Sequence, residues 1–237
     1  IGQPIGSFYA YKEDGLFQSE AEIKSYTNNK GELLQPNAKP GDIKFVDVNG
    51  DGVIDGNDRD YIGNPLPDVT AGLTLGVNFH NFDLSLFFQG MFGNDVYDLT
   101  RYVGDFYNQS QYNKNSRVVN AWTPTNTNTD IPRVTMDDPN NNIRPSSYYV
   151  QDASFVRLKN MKIGYSVPQS ILSKIKFNSL YIYAQATNLF TITGYDGIDP
   201  EVGLQNYSSD YRNLDMGVDR GIYPLSRTFT FGVNVSF

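Results

Sequence analysis

Five segments of the chain alternate apolar side chains with small or polar ones. In the first segment, the odd-numbered positions from Val69 to Phe79 are all apolar, and the even-numbered positions between them are Thr, Gly or Asn. A period of two places alternate side chains on opposite faces of a β-strand, and a run of about 11 residues is longer than the usual strand of a soluble sheet. The pattern predicts strands at about 67–79, 82–92, 153–167, 179–193 and 226–237.

The third predicted strand contains a change of phase. Val156 and Leu158 are the apolar positions of its first half, whereas Met161 and Ile163 carry the apolar side chains of its second half. One extra residue near Asn160 explains the change, because a β-bulge inserts a single unpaired residue into a strand.

The connections between these strands alternate in length. His80–Asn81 forms a two-residue turn, and QSILSKIKFN (169–178) joins the third strand to the fourth, but residues 93–152 and 194–225 form much longer connections. Alternation of this kind is typical of outer-membrane β-barrels, which have short periplasmic turns and long outer loops. The pattern therefore favours an all-β membrane barrel over its alternative, a soluble β-sandwich with shorter strands.

The composition excludes several classes of site. The chain has no Cys and one His, so disulfides, Cys-ligated metals, His triads and multi-His metal sites are excluded. A net charge of −7 argues against nucleic-acid binding, which needs clustered Lys and Arg. The first residues lack the basic start and apolar core of a signal peptide, and we expect the chain to be part of a longer polypeptide.

No arrangement of residues predicts catalysis. The acidic pairs Asp137–Asp138 and Asp199–Glu201 are of the residue type that glycosidases use, but nothing places them across a cleft at a fixed separation. The sequence also lacks a phosphate loop, a nucleophile elbow and a zinc motif. We predict that the chain is not an enzyme.

The segment DVNGDGVIDGND, at 47–58, has the residue spacing of a calcium loop. In such a loop, positions 1, 3, 5, 9 and 12 supply side-chain oxygens or water contacts, and position 7 supplies a backbone carbonyl. Position 6 is Gly52, as the sharp turn requires. Position 12 is Asp instead of Glu, as in the calcium loops of dockerin modules. The expected ligands are Asp47, Asn49, Asp51, Val53, Asp55 and Asp58.

Two interpretations of this loop remain open. Calcium would act as a structural clamp and not as a sensor signal, because extracellular calcium is roughly constant and even a weak site stays filled. The alternative is a turn that needs no metal, since Asp, Asn and Gly also favour Asx-turns.

Several stretches together resemble the C-terminal part of the SusC/RagA family of TonB-dependent outer-membrane transporters. They occur in family order and near family spacing, and they cover more than half of the chain. The stretches are IGSFYAYKEDGLFQS (5–19), PGDIKFVDVNGDGVIDGNDRDYIGNPLPD (40–68), FDLSLFFQGMFGNDVYD (82–98), YYVQDASFVRLKNMKIGYSVP (148–168), LYIYAQATNLFTITGYDGIDPE (180–201) and GIYPLSRTFTFGVNVSF (221–237).

The resemblance implies a fold and a function. The family forms a 22-stranded antiparallel barrel with an N-terminal plug, and it imports large nutrients, commonly oligosaccharides and sometimes peptides, in bacteria of the Bacteroidota. A SusD-like lipoprotein caps the outer face, and TonB supplies energy through the N-terminal region, which this sequence lacks. The chain would contribute about five membrane strands in contact with outer-membrane lipid. The plug and the remaining strands would come from the same or a separate chain.

The resemblance also implies a topology. Because the C-terminus of such a barrel is periplasmic, residues 1–66 form an extracellular loop region and residues 67–237 hold the barrel strands. Residues 93–152 and 194–225 are then extracellular loops. The alternative function is a surface-exposed calcium-binding adhesion or recognition module of the β-sandwich type.

Three further groups of residues are candidates for a role. The aromatic side chains of the long loop would contact ligand or lid protein, with loop packing as the alternative: Tyr102, Tyr107, Tyr112 and Trp122. The last strand carries a terminal aromatic pattern that resembles a barrel-assembly signal: Phe229, Phe231 and Phe237. The cations of the third strand should face the lumen, or pair with the plug or neighbouring strands, because Arg or Lys facing lipid costs about 2–4 kcal/mol: Arg157, Lys159 and Lys162.

Overall fold

The computed structural model describes residues 2–109, 112–203 and 215–237. The predicted loops at 93–152 and 194–225 therefore lie partly outside the described residues. The chain divides into two compact units. We call Ile1–Leu66, Asp95–Gln151 and Val202–Gly221 the loop unit, and Pro67–Asn94, Asp152–Glu201 and Ile222–Phe237 the sheet unit.

Most of the regular structure is β-strand, and the helices are short. The α-helices are α1 (Glu20–Ser25), α2 (Thr100–Gly104) and α3 (Gln169–Ile175). None of the described helices is long and apolar enough to cross a membrane. The strands are β1 (Phe8–Tyr11), β2 (Glu13–Leu16), β3 (Ile43–Phe45), β4 (Arg59–Gly63), β5 (Val69–Phe79), β6 (Phe82–Phe92), β7 (Asp95–Asp98), β8 (Val150–Asp152), β9 (Phe155–Ser166), β10 (Ser179–Thr193), β11 (Val218–Asp219) and β12 (Thr228–Ser236).

The sheet unit is one five-stranded antiparallel sheet with the order β5-β6-β9-β10-β12. Neighbours in this sheet are also successive members of the five alternating segments of the sequence. Each of those segments forms one strand, because its apolar and polar residues can be separated only in an extended conformation.

A β-bulge interrupts β9 where the sequence changes phase. Asn160 pairs with Phe87 of β6 and Leu158 pairs with Phe88, so Lys159 has no partner on that strand. The bulge predicted near Asn160 is confirmed. On the other side of β9, two residues of β10, Asn188 and Leu189, lie opposite Lys159. The alternation of β10 did not reveal this second irregularity.

The connection between β9 and β10 is a helix and not the simple turn that its length suggests. Within the segment 169–178, α3 occupies Gln169–Ile175 and places Leu172 in a buried position, 3% exposed. Pro168 precedes the first helical residue, and Lys176 ends the helix in the left-handed region at φ 59°, where its N–H donates to the carbonyl of Leu172. A left-handed residue just after the last turn is a common way to end a helix.

The loop unit contains short strands and an aromatic core. Its sheets are β1 with β4, β2 with β3, and a three-stranded sheet ordered β11-β7-β8. Aromatic rings dominate the core because each buries a large apolar area. The buried cluster comprises Tyr11, Leu16, Ile43, Phe45, Phe106, Trp122, Ile143, Tyr148 and Tyr149. The segments predicted as long loops therefore fold into a packed structure of their own.

Candidate functional site

The two faces of the five-stranded sheet differ in chemistry. Register pairs link one residue of every strand into a row across the sheet, and that row is wholly apolar: Val77, Leu84, Ile163, Ala184 and Phe231. The next row, one residue along, faces the other side and is polar or small: Asn78, Asp83, Gly164, Tyr183 and Gly232. We call these the apolar face and the polar face.

The apolar face is exposed and not packed as a core. Val77 is 58% exposed, Phe79 is 68% exposed and Phe231 is 80% exposed. A soluble sheet normally buries its apolar side chains. The residues of the terminal aromatic pattern share this exposure, since Phe229 and Phe237 are 61% and 89% exposed. Their role in barrel assembly stays a prediction.

Two tyrosines lie flat on the polar face because glycines make room for them. A Cβ at Gly164 would overlap the hydroxyl of Tyr181, and one at Gly232 would overlap the ring of Tyr183. Tyr181 donates a hydrogen bond of 2.9 Å to a carboxylate oxygen of Asp83, two strands away. Lys162 holds its Nζ 4.9 Å from the centroid of Tyr181, which is cation–π geometry.

A buried ion cluster lies at one end of the polar face. The guanidinium of Arg157 donates to Asp199 at 2.6 Å, to Glu201 at 2.9 Å and to the hydroxyl of Thr191 at 2.8 Å. The ammonium of Lys159 donates to Glu201 at 3.1 Å. These ion pairs hold the segment after β10 against strand β9.

Asp199 is the centre of this cluster. Its carboxylate also accepts hydrogen bonds from the backbone N–H groups of Glu201 and Leu225, so it ties the segment before β12 to the same point. Burial acts to raise the pKa of Asp199. Hydrogen bonds from the Glu201 N–H, the Arg157 guanidinium and the Leu225 N–H outweigh burial, and they hold the pKa below its usual 3.8.

The loop at 47–58 is closed by its own carboxylates. Asp58 is completely buried, and it accepts hydrogen bonds from the backbone N–H groups of Val48 at 2.9 Å and Asp55 at 2.7 Å. Asp47 accepts from the N–H groups of Gly50 at 2.7 Å and Gly52 at 2.8 Å. Backbone donors thus surround the first and last carboxylates of the loop.

The remaining positions of this loop make local hydrogen bonds. Asp51 accepts from the N–H of Val53 at 3.0 Å, and Asp55 accepts from the N–H of Asn57 at 2.7 Å. Among the described residues, no group of three or more acidic, His or Cys side chains converges as metal ligands do. The donor set consists of carboxylate and amide oxygens, which suits calcium chemically. Oδ1 of Asp58 accepts from two backbone N–H groups, those of Val48 and Asn49, whereas an oxygen that accepts one hydrogen bond keeps a second lone pair.

Comparison with known proteins gives a consistent relationship. No family model matches the chain. TonB-dependent receptor P3 of Formosa agariphila is 38% identical over 236 residues, which is 100% of this chain and 22% of the receptor. TonB-dependent receptor SusC of Bacteroides thetaiotaomicron is 27% identical over 240 residues, again across the whole chain and over 20% of SusC.

The chain is homologous to the matched part of these TonB-dependent receptors. It spans about a fifth to a quarter of the length of the relatives that it matches.

Solved structures support the same fold. The RagAB peptide importer in its open-open state matches 100% of the chain with a TM-score of 0.68 and 23% identity, over 23% of the solved chain. The closed-closed state of that importer matches 98% with a TM-score of 0.67 and 25% identity. The fold of the chain therefore matches that of the corresponding region of these solved structures.

The aromatic residues predicted as ligand or lid contacts occupy different environments. Trp122 is 7% exposed within the core of the loop unit, and its indole N–H donates to Gln18 at 2.9 Å. Tyr102 packs against the same core. Tyr107 is 39% exposed beneath the ammonium of Lys114, and Tyr112 is 78% exposed. Trp122 therefore has the environment of the loop-packing alternative, whereas Tyr107 and Tyr112 are accessible, and a contact of these residues with ligand or lid protein stays a prediction.

Sequence reasoning missed the acidic partners of Arg157. The sequence shows Asp199 and Glu201 only as an acidic pair with no fixed place in the fold, but both carboxylates bind the buried guanidinium. A charged residue within an alternating strand signals that some partner exists, because a buried charge needs one. The pattern carries no information about which distant carboxylate provides it.

The loop unit also contains buried titratable groups that no motif marks. The hydroxyl of Tyr148 donates to Asp105 at 2.6 Å, and Arg117 lies 3.3 Å from the same carboxylate. Burial, the charge of Asp105 and the hydrogen bond to it raise the pKa of Tyr148. Burial also raises the pKa of Tyr97 to about 12. These hydroxyls stay protonated at neutral pH and act as hydrogen-bond donors in a structural core.

Proposed function

We propose that the chain forms part of the barrel wall and outer loops of a TonB-dependent importer in the bacterial outer membrane. The observation that carries this proposal is the separation of the five-stranded sheet into an exposed apolar face and a polar face. Lipid is the environment that suits the first, and a water-filled or plugged bore suits the second. The cations of β9 fit this assignment, since Lys162 shares the polar face with Asp83 and Tyr181.

The edges of the sheet support a larger barrel. Among the described residues, β5 and β12 each pair with a strand on one side only. In hydrocarbon, each unpaired backbone group costs several kcal/mol, so spanning sheets close on themselves. The remaining strands and the plug, from the same or a separate chain, would supply the missing neighbours.

The topology follows from the same proposal. With the C-terminus on the periplasmic side, the His80–Asn81 turn and α3 are periplasmic. The loop unit and the ion cluster around Asp199 then lie on the extracellular side.

The relatives and the exposed loop aromatics support a choice of partners and cargo. We assign a SusD-like surface lipoprotein as the lid and TonB as the energy source, acting on an N-terminal region outside this sequence. The first class of cargo is an oligosaccharide, because exposed loop tyrosines such as Tyr107 and Tyr112 offer faces on which sugar rings stack. The second class is a peptide, as in the name of the RagAB peptide importer.

We also propose that calcium binds the loop at 47–58 as a structural ion. The ligand spacing and the chemistry of the donor atoms support it. An ion there would hold together a loop that already folds around Asp47 and Asp58.

A transport assay tests the function. Cells that carry the natural protein should take up fluorescently labelled oligosaccharides or peptides, and uptake should stop when TonB is deleted or the proton gradient is collapsed. Uptake that continues unchanged without TonB contradicts the proposal.

Detergent distinguishes the importer from the alternative, a β-sandwich adhesion or recognition module. A barrel protein should require detergent for solubility, and its folded form should migrate differently from its heated form on a gel. A soluble monomer with no such shift would favour the adhesion module. The exposed apolar face speaks against that module, since a sandwich would cover it with a second sheet.

A further inference from the structure

A cavity of about 350 Å³ opens within the sheet unit, next to the end of β10 and the start of β12. Its volume lies within the range of small-molecule pockets, roughly 300–1,000 Å³. Arg157 and Thr191, cross-strand neighbours on β9 and β10, line it from the sheet. Ile198 and Pro224 line it from the adjoining segments. None of the residues named in the apolar row of the sheet lines this cavity.

The charges around the cavity do not cancel. The two carboxylates of Asp199 and Glu201 balance the cations of Arg157 and Lys159, with which they form ion pairs. Arg227 also lines the cavity and is exposed. Within the described part of the chain, the guanidinium of Arg227 has neither an ion pair nor a hydrogen bond. One positive charge is therefore available to a ligand.

A hydroxyl hydrogen is available at the same cavity. Thr191 accepts a hydrogen bond from Nε of Arg157 at 2.8 Å. A hydroxyl has one hydrogen to donate in addition to its acceptor lone pairs, and the Thr191 hydroxyl donates no hydrogen bond to any of the described residues. Arg227 and Thr191 therefore both bring unused hydrogen-bond donors to the lining of this cavity, which also includes the apolar side chains of Ile198 and Pro224.

The local backbone is irregular where the cavity forms. Asn188 lines the cavity within the bulge of β10, with φ at 51°, and its amide donates to the carbonyl of Ser226 at 3.1 Å. Its Oδ1 is buried and has no hydrogen-bond partner in the described part of the chain. Bulges redirect side chains and occur next to functional sites. Left-handed backbone at residues other than Gly also concentrates at such sites.

We propose that this cavity is a cargo subsite that binds a carboxylate-bearing residue. Guanidinium groups match carboxylates in a planar, two-point arrangement that ammonium groups cannot copy, and the hydroxyl of Thr191 can donate to the same group. The cargo residue is either an acidic sugar or a peptide residue with a free carboxylate. The inference rests on the proposed import function, because that function places the polar face in the path of the cargo.

Calorimetry on the natural protein in detergent tests the subsite with two matched pairs of probes. One pair is a disaccharide ending in glucuronate and its neutral glucose counterpart. The other is an N-acetylated dipeptide with a free carboxylate and its C-terminal amide. We expect Arg227→Gln to weaken binding of the carboxylate member of one pair about tenfold or more. Neutral members should be unaffected, and the responding pair identifies the cargo class.

Further variants separate the subsite from damage to the fold. Thr191→Val should weaken the same probe, and Arg227→Lys should retain part of its affinity because it keeps the charge. Lys174→Gln on α3 removes an equivalent exposed charge away from the cavity, and it should change nothing. All variants should keep the wild-type gel shift on heating.

Specific outcomes overturn the inference. Unchanged binding in both Arg227→Gln and Thr191→Val, equal losses for charged and neutral probes, or no binding of either carboxylate probe by the wild type would each exclude a carboxylate subsite. TonB-dependent uptake alongside any of these results leaves the import function standing. A loss of probe affinity in Arg227→Gln without any TonB-dependent uptake would instead support the subsite and contradict import.

Discussion

The guanidinium of Arg157 lies 2.6 Å from a carboxylate oxygen of Asp199, and the two side chains are only 2% and 7% exposed. Arg157 belongs to β9, whereas Asp199 belongs to the segment that follows β10. One buried ion pair therefore decides where that segment runs on the polar face.

Removal of one partner of this pair should destabilise the protein strongly. Arg157→Ala leaves Asp199 buried without its cation, and the loss of one member of a buried pair typically costs about 3–5 kcal/mol. The unfolding midpoint in detergent should fall, and protease should cut the segment after β10 more readily. Lys159→Ala is the control, because that side chain is 29% exposed and should cost much less. Equal effects of the two substitutions would contradict a central role for Arg157.

The pH dependence of stability should reveal Asp199. Its pKa in the folded protein is below the ordinary 3.8, so the unfolded carboxyl takes up a proton first as pH falls. Its contribution is fully present above pH 3.8 and is lost as pH falls from there through the folded pKa. The wild type should lose more stability than Asp199→Asn over that interval in acid unfolding curves. Parallel curves would rule out this contribution.

Two adjacent residues of β6 should respond in opposite ways to the same substitution. Leu84 lies on the apolar face and Ser85 lies on the polar face. In the proposed barrel, Leu84→Arg would place a charge in lipid at about 2–4 kcal/mol, whereas Ser85→Arg would place it in the aqueous bore. The amount of heat-modifiable protein in outer membranes should fall for the first variant and not for the second. Similar yields for both would count against the lipid-facing assignment.

Substitutions of Trp122 and Tyr112 should distinguish a residue that packs in the core from a residue that is free to bind cargo. Trp122→Ala removes a buried ring and a hydrogen bond to Gln18, which should cost about 3–5 kcal/mol and lower the unfolding midpoint. Tyr112→Ala changes a side chain that is 78% exposed and should leave the midpoint unchanged. If Tyr112 contacts cargo, its loss should weaken uptake of labelled oligosaccharide. A marked loss of stability in Tyr112→Ala would assign that residue to packing as well.

Chelation should test the loop at 47–58. If calcium binds, a chelator should lower the unfolding midpoint of the wild type, and added calcium should restore it. Asp51→Asn removes one exposed ligand, and chelation should lower its midpoint less. Asp58→Ala removes the buried acceptor of several backbone N–H groups, so it should destabilise the loop with or without calcium. A wild type indifferent to chelation, combined with a destabilised Asp58→Ala, would identify a metal-free turn.

The sequence predicts the elements that depend on near neighbours. The alternation between Val69 and Phe79 is sufficient to predict strand β5 and its pairing register. A shift of the register by one residue would turn every apolar side chain of the strand to the wrong face. The bulge at Lys159 was predictable for the same reason, since a change of phase in the pattern needs an extra residue. Helix α3 was less visible, because its seven residues make too short a period to distinguish from a turn.

By itself, the sequence determined that five strands form, that each sorts its side chains between an apolar and a polar face, and that Arg157 must face the polar side. Only the tertiary structure decided that Asp199 and Glu201 neutralise Arg157, that Trp122 is buried while Tyr112 is exposed, and that Arg227 and Thr191 line one cavity. The physical reason is the range of the interactions. Alternation is fixed by the geometry of adjacent residues, whereas the partners of a side chain depend on how distant segments are brought together, and no local period records that.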